Sequence, residues 1–162
     1  GASNVEVDAQ NEDVFGELLT ETCSSLARSI PADGEGATHL ITIHVRGCGT
    51  RDDARKIAHT VADSPLVKTA IAGADPNWGR IVAAAGRSGV AFDPDAVALW
   101  IGPHQLMQSG QPLSFDREAA SAVLRQETVV IRIHLGAGPG QGCAWGCDLS
   151  DQYVRINADY TT

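Results

Sequence analysis

Two hydrophobic periods alternate along this chain, and each switch between them marks an element. Phe15, Leu18, Leu19, Cys23, Leu26 and Ile30 recur at helical spacing. They predict a helix from about Glu12 to Ser29 with one apolar stripe, Asn11 as its cap and Pro31 as its stop. Residues 1–10 read as an extended lead-in. The period then falls to two: Ile41, Ile43 and Val45 alternate with Thr42, His44 and Arg46, which predicts a strand over Thr38–Arg46 with one apolar face. Gly47-Cys48-Gly49 breaks that strand. Thr50-Arg51-Asp52-Asp53 has the form of a capping box, opening a helix to about Asp63 faced by Ala54, Ile57, Ala58 and Val61.

Further along, Ser64 to Gly73 fits either a short helix or a strand. Asp75 is expected to cap the next helix, with Pro76 in its first turn, Trp78, Ile81, Val82 and Ala85 as its stripe and Gly86 at its end. Ala96 to Ile101 is apolar on both faces, as in a buried strand, and Gly102-Pro103 turns it towards a hairpin partner at His104 to Met107. A helix is expected over Asp116–Gln126. Val129, Ile131, Ile133 and Leu135 alternate with Val130, Arg132 and His134 as another strand. The Gly-rich segment 136–142 reads as a hairpin loop, followed by a strand pair over 143–149 and 153–158. Helices and strands are mixed without strict alternation, no repeat or long linker divides the chain, and the expected fold is α/β with layered packing in a single unit over residues 1–162.

Composition narrows the function. The chain has 162 residues, enough for a core without disulfide or metal staples, and its formal net charge of −8 opposes a phosphate backbone. Nucleic acid is therefore not an expected partner. No apolar run approaches the ~20 residues of a membrane helix, and the acidic start lacks signal-peptide character. A soluble, cytoplasmic type of domain is expected. Cys23, Cys48, Cys143 and Cys147 lack metal or redox spacing and are expected to be reduced packing thiols. None of the five histidines has a metal-binding spacing, and a structural role is expected of them; His44 and His134 fall on the polar faces of two predicted strands and are candidates for neighbours.

Two segments carry recognition chemistry. Gly73-Ala74-Asp75-Pro76-Asn77-Trp78-Gly79-Arg80 sets a helix N-terminus beside an arginine, an arrangement suited to an anion or simply to starting a helix. Asp33-Gly34-Glu35-Gly36-Ala37-Thr38 puts carboxylates on a Gly-rich loop before a strand, suited to an ammonium group or to a solvated turn. No Ser, Cys or Thr occupies a nucleophile-elbow pattern, and position 1 is Gly. The chain offers recognition groups without an evident catalytic engine.

These segments occur in order with Ser64-Pro65-Leu66-Val67-Lys68-Thr69-Ala70-Ile71-Ala72-Gly73, with Cys147-Asp148-Leu149-Ser150, and with the end Tyr153-Val154-Arg155-Ile156-Asn157-Ala158-Asp159-Tyr160-Thr161-Thr162. Together they closely resemble the C-terminal part of the β chain of the ornithine acetyltransferases, the glutamate N-acetyltransferases of arginine biosynthesis. The resemblance covers nearly the whole chain. It implies the layered α/β fold of the Thr-nucleophile type and a precursor that cleaves itself before a threonine. It also implies ping-pong transfer of acetyl from N2-acetylornithine to glutamate, an α2β2 assembly with an α chain, and no cofactor, with acetyl-CoA as an alternative donor. By the same resemblance, Glu35, Asn157 and Thr162 contact substrate. Asp75, Asn77 and Arg80 lie near the active centre, either touching substrate or shaping the site. His39 stands where the family commonly has Lys. No catalytic residue is expected in this chain: Gly1-Ala2-Ser3-Asn4 resembles a point past the nucleophile, so the chain alone is expected to be inactive. The rival readings are a related Thr-nucleophile acyltransferase of secondary metabolism and a non-catalytic amino-acid-binding module.

Overall fold

The computed structural model describes residues 2–159. Helix α1, Glu12–Ala32, comes first. Strand β1, Leu40–Gly47, is followed by helices α2, Arg51–Ala62, α3, Pro65–Ala72, and α4, Trp78–Gly86. A single 3-10 turn at Pro94–Ala96 leads into β2, Ala98–Ile101, which turns into β3, His104–Gln108, and the short β4, Gln111–Pro112. Helix α5, Arg117–Leu124, strands β5, Thr128–His134, and β6, Gly138–Cys147, and helix α6, Asp151–Ala158, complete the described chain.

The strands form one six-stranded mixed sheet in the order β4-β3-β2-β5-β1-β6. Its one parallel pair is β1 and β5, with Ile43 opposite Ile131; the other pairings are antiparallel. Period-two alternation decides the faces. Ile41, Ile43 and Val45 of β1 and Val129, Ile131 and Ile133 of β5 are buried in one core cluster with Ile57 and Val61 of α2, Ile71 of α3, Ile81 of α4 and Leu124 of α5. The layered α/β expectation holds, built on a single sheet.

Most predicted helices form where the caps place them. The Thr50 hydroxyl accepts the Asp53 N–H at 3.1 Å and donates to the Asp53 carboxylate at 2.7 Å. Asp116 caps α5 by accepting the Ala119 N–H. Segment 65–72 resolves as a helix, with Pro65 in its first turn and Val67, Ala70 and Ile71 buried.

Four expectations change. Asn11 does not cap α1 with its side chain; its amide instead ties back to the lead-in, accepting from Asp8 N and donating to Glu6 O, both at 3.0 Å. Pro31 does not stop the helix, because its fixed φ is itself helical and only one donor is lost in a last turn that ends at Ala32. The final strand pair is one ten-residue strand and a helix. Segment 138–142, read as part of a loop, is the first half of β6. Its glycines serve packing rather than turning: a Cβ on Gly142 would lie 2.6 Å from the Arg55 backbone nitrogen of α2. Residues 153–158 are helical, and Ser150 occupies the N-cap position.

One helix forms as expected but does not pack as expected. No residue of α1 is buried, and Leu18 and Ile30 of its stripe are 58% and 76% exposed.

Candidate functional site

The loop Asp33–Thr38 and the start of α6 are drawn together by one buried carboxylate. Asp148 is 3% exposed. Its Oδ1 accepts the backbone N–H groups of Thr38 at 2.8 Å and His39 at 2.9 Å. Its Oδ2 accepts the Thr38 hydroxyl at 2.7 Å and lies 2.9 Å from His39 Nδ1. Burial alone would push this carboxyl upward. The hydrogen bonds from the side chains and backbone of Thr38 and His39 outweigh that and hold it below the usual carboxylate value.

Two more contacts close the join. Ser150 Oγ donates to the Gly36 carbonyl at 2.6 Å. Gly36 has φ +66°, and a Cβ there would meet the Tyr153 backbone nitrogen at 2.6 Å, so both its conformation and the space require glycine. The outcome is that Glu35 and Asn157, 122 positions apart, touch: Asn157 Nδ2 donates to Glu35 Oε2 at 3.0 Å and to the Tyr153 carbonyl at 2.9 Å. Both residues are exposed. The Glu35 Oε1 has no hydrogen-bond partner among the described residues. The pair therefore presents a carboxylate oxygen and an amide oxygen at the surface, a set that fits an ammonium donor. Thr162 lies outside the described residues.

Asp75, Asn77 and Arg80 form a second cluster. Asn77, not Asp75, caps α4, its Oδ1 accepting the Arg80 N–H at 3.1 Å. The helix begins only at Trp78, so Asp75 lies ahead of the cap position, where Asn77 and Arg117 engage its carboxylate. Its carboxylate accepts from Asn77 Nδ2 at 3.0 Å and pairs with Arg117 at 2.6 Å. The Arg80 guanidinium crosses to α3, donating to the Leu66 carbonyl at 3.0 Å and Thr69 Oγ1 at 3.3 Å. Among the described residues no hydrogen bond joins this cluster to Glu35 or Asn157.

The far face of the sheet carries a third feature, a cleft of about 1140 Å³ beneath α1. It is lined by Leu19 and Cys23 of α1, His44, Arg46, Arg132 and His134 of the sheet, and Arg51 and Arg55 of α2, with no Asp or Glu among its lining residues. His44 and His134 are both in it, as expected of neighbouring strands. Desolvation, then nearby arginines, lowers the pKa of each below 6.5. Arg28 stacks over Trp145 at 5.3 Å, and the Trp145 Nε1 is buried without a hydrogen-bond partner among the described residues. The cysteines divide: Cys48 is buried, Cys143 and Cys147 are half-buried, and Cys23 is exposed rather than packed. Burial pushes the Cys48 and Cys143 thiols up. No group of three or more potential metal ligands occurs among the described residues, and no helix among them is long and apolar enough to cross a membrane.

Sequence reasoning named Glu35 and Asn157 through a resemblance but assigned no role to Asp148 or Ser150. The signal was available. Asp148 sits in the quoted run Cys147-Asp148-Leu149-Ser150, and Ser150 followed by Asp151 is a helix-start pattern; reading 153–158 as a strand concealed it.

A mixed sheet with a helical layer on its buried face, and a polar loop-helix junction at its edge strand, define a layered α/β domain. The chain belongs to the ArgJ family, whose profile matches residues 1–162. It is 65% identical over 161 residues to the arginine biosynthesis bifunctional protein ArgJ of Parasynechococcus marenigrum, covering 99% of this chain and 39% of that protein. The protein of the same name from Prochlorococcus marinus strain MIT 9313 is 59% identical, over 89% of this chain and 36% of its own length. The crystal structure of the arginine biosynthesis bifunctional protein ArgJ of Bacillus halodurans superposes with a TM-score of 0.93 at 41% identity, covering 98% of this chain and 76% of that one. The chain thus spans about two fifths of the length of these curated relatives.

Proposed function

We propose that this chain, acting as a single unit, is the substrate-recognition portion of a glutamate N-acetyltransferase of arginine biosynthesis. The enzyme moves acetyl from N2-acetylornithine to glutamate. A threonine outside these residues attacks the acetyl carbonyl, the C–N bond breaks, and the amine leaves with a proton as ornithine. The amine of glutamate then takes the acetyl group from the threonine ester and restores the hydroxyl. Glu35 binds the ornithine ammonium, Asn157 orients its polar end, and Thr162 adds a hydroxyl contact. Asp75, Asn77 and Arg80 shape the neighbouring wall by tying α3 to α4. The partners are an α chain and the threonine-bearing part of the β chain in an α2β2 assembly in the cytoplasm. No cofactor takes part, and acetyl-CoA is an alternative donor.

The observation that carries the reading is the hydrogen bond between Glu35 and Asn157. Two groups selected for one substrate role, far apart in the chain, stand side by side. Membership of the ArgJ family and the names of its relatives support the reaction class.

The test is steady-state acetyl transfer by the full-length protein with a panel of N-acetylated amino acids as donors and glutamate as acceptor. N2-acetylornithine is expected to be the best donor. Preference for another acyl donor would assign the chain to a related acyltransferase, and absence of turnover with every donor would leave a binding module.

A further inference from the structure

We propose that Asp148 is a positioning residue of the substrate site: it staples the loop that carries Glu35 to the helix that carries Asn157. The inference rests on the reading of Glu35 and Asn157 as substrate contacts given above.

The argument begins with what does not hold these two residues. Glu35 lies on an exposed loop between two glycines, and no residue of α6 is buried. Core packing therefore fixes neither. Their 3.0 Å contact needs another constraint, and the buried group between them supplies it. Asp148 occupies the strand-to-helix joint ahead of α6, and all four hydrogen-bonding contacts of its carboxylate are with Thr38 and His39, at the exit of the Glu35 loop; its backbone N–H also donates to the His39 carbonyl at 3.3 Å. Ser150 repeats the link one turn on, through the Gly36 carbonyl. Each crosses more than one hundred positions of sequence, so the pair joins the two segments rather than stiffening either one.

The chemistry suits a carboxylate. Both oxygens face donors, two backbone N–H groups on one side and a hydroxyl and an imidazole on the other. An amide in its place keeps an acceptor for the two backbone N–H groups but puts a neutral donor where Thr38 and His39 now meet an anionic acceptor, so both would have to reverse their hydrogen-bonding roles. Asp148 is itself too buried and too fully engaged to touch a ligand. It acts through the geometry of Glu35 and Asn157.

The test uses the full-length protein and separates KM from kcat for N2-acetylornithine. Asp148→Asn is expected to raise KM about tenfold while changing kcat far less, since misplaced contacts weaken binding before they affect a distant nucleophile. Ser150→Ala and Thr38→Val each remove one strut and should raise KM in the same direction by about two- to threefold. In a Glu35→Gln background, Asp148→Asn should add little, because the group it positions is already impaired. Should Asp148→Asn fail to fold, the two milder variants decide the matter alone. An unchanged KM in the stapling variants, with a raised KM in Glu35→Gln, overturns the positioning role and leaves the substrate reading intact. An unchanged KM in Glu35→Gln itself overturns the substrate reading.

Discussion

The two faces of the central sheet follow the same alternating code and end in opposite environments. On one face, Ile43 and Ile131 stand opposite each other in β1 and β5 and are wholly buried beneath the helical layer. One residue further along each strand, His44 and Arg132 are paired in the same register and line an open, basic cleft. Period two tells which residues share a face; it does not tell whether a layer covers that face. The same contrast separates the helices. The stripe of α2 is buried, whereas the equally regular stripe of α1 leaves Phe15, Leu18, Leu19, Leu26 and Ile30 exposed.

The largest expected effect lies on the covered face. Ile131→Ala should cost about 2–5 kcal/mol of unfolding free energy, through lost burial and the cavity left behind. The neighbouring Arg132→Ala should cost only about 1 kcal/mol, the loss of its bond to the Gly102 carbonyl and its place over Trp100. Equal urea midpoints for the two variants would break the comparison. Next comes the tight seam between β6 and α2. Gly142→Ala places its methyl against backbone that cannot yield, and about 1–3 kcal/mol should be lost. Thr50→Ala, which removes the cap of α2, should cost about 1 kcal/mol; thermal melts would rank the two.

The uncovered side predicts behaviour rather than stability. The isolated chain should self-associate through the α1 stripe, and Leu18→Glu with Leu26→Glu should return it to a monomer by light scattering. A monodisperse monomer of the unaltered chain would contradict this.

The smallest effect is the pH dependence of the cleft. His44 and His134 have folded pKa values below the ordinary 6.5, first through desolvation and then through the surrounding arginines. The unfolded chain therefore binds more protons in the window beneath 6.5. The stability these residues contribute is present above that value and falls as the pH drops through it. Arg132→Gln should shrink the fall, since Arg132 acts on both histidines. Asp148 adds a separate loss at much lower pH, beneath the ordinary 3.8, because its folded value is also depressed. Urea midpoints followed across the two windows separate these contributions.

Much of the fold was legible because local chemistry and tertiary outcome agree. Thr50 caps the helix that its capping box announces, and the alternation in β1 and β5 assigns the core correctly. The errors share a cause: residues whose local meaning was overridden by a distant neighbour. The glycines of β6 look like a turn until α2 lies against them. Asp75 looks like a cap until Arg117 and Asn77 claim its carboxylate. Residues 153–158 look like a strand, with Val154 and Ile156 two apart, yet the segment is helical from Asp151, and its N-cap Ser150 reaches back to Gly36. At the site, the resemblance named Glu35 and Asn157; local patterns mark Asp148 and Ser150 as a helix start, but not that their partners lie more than one hundred positions away in the Glu35 loop.

The most direct test of the account is calorimetric titration of ornithine into the full-length protein and its Glu35→Gln variant. Removing a charge-assisted contact worth about 1.5–3 kcal/mol should weaken binding by roughly ten- to a hundredfold while leaving the melting temperature unchanged. An ornithine Kd that is the same in both proteins would contradict the assignment of the Glu35 and Asn157 junction as the recognition site.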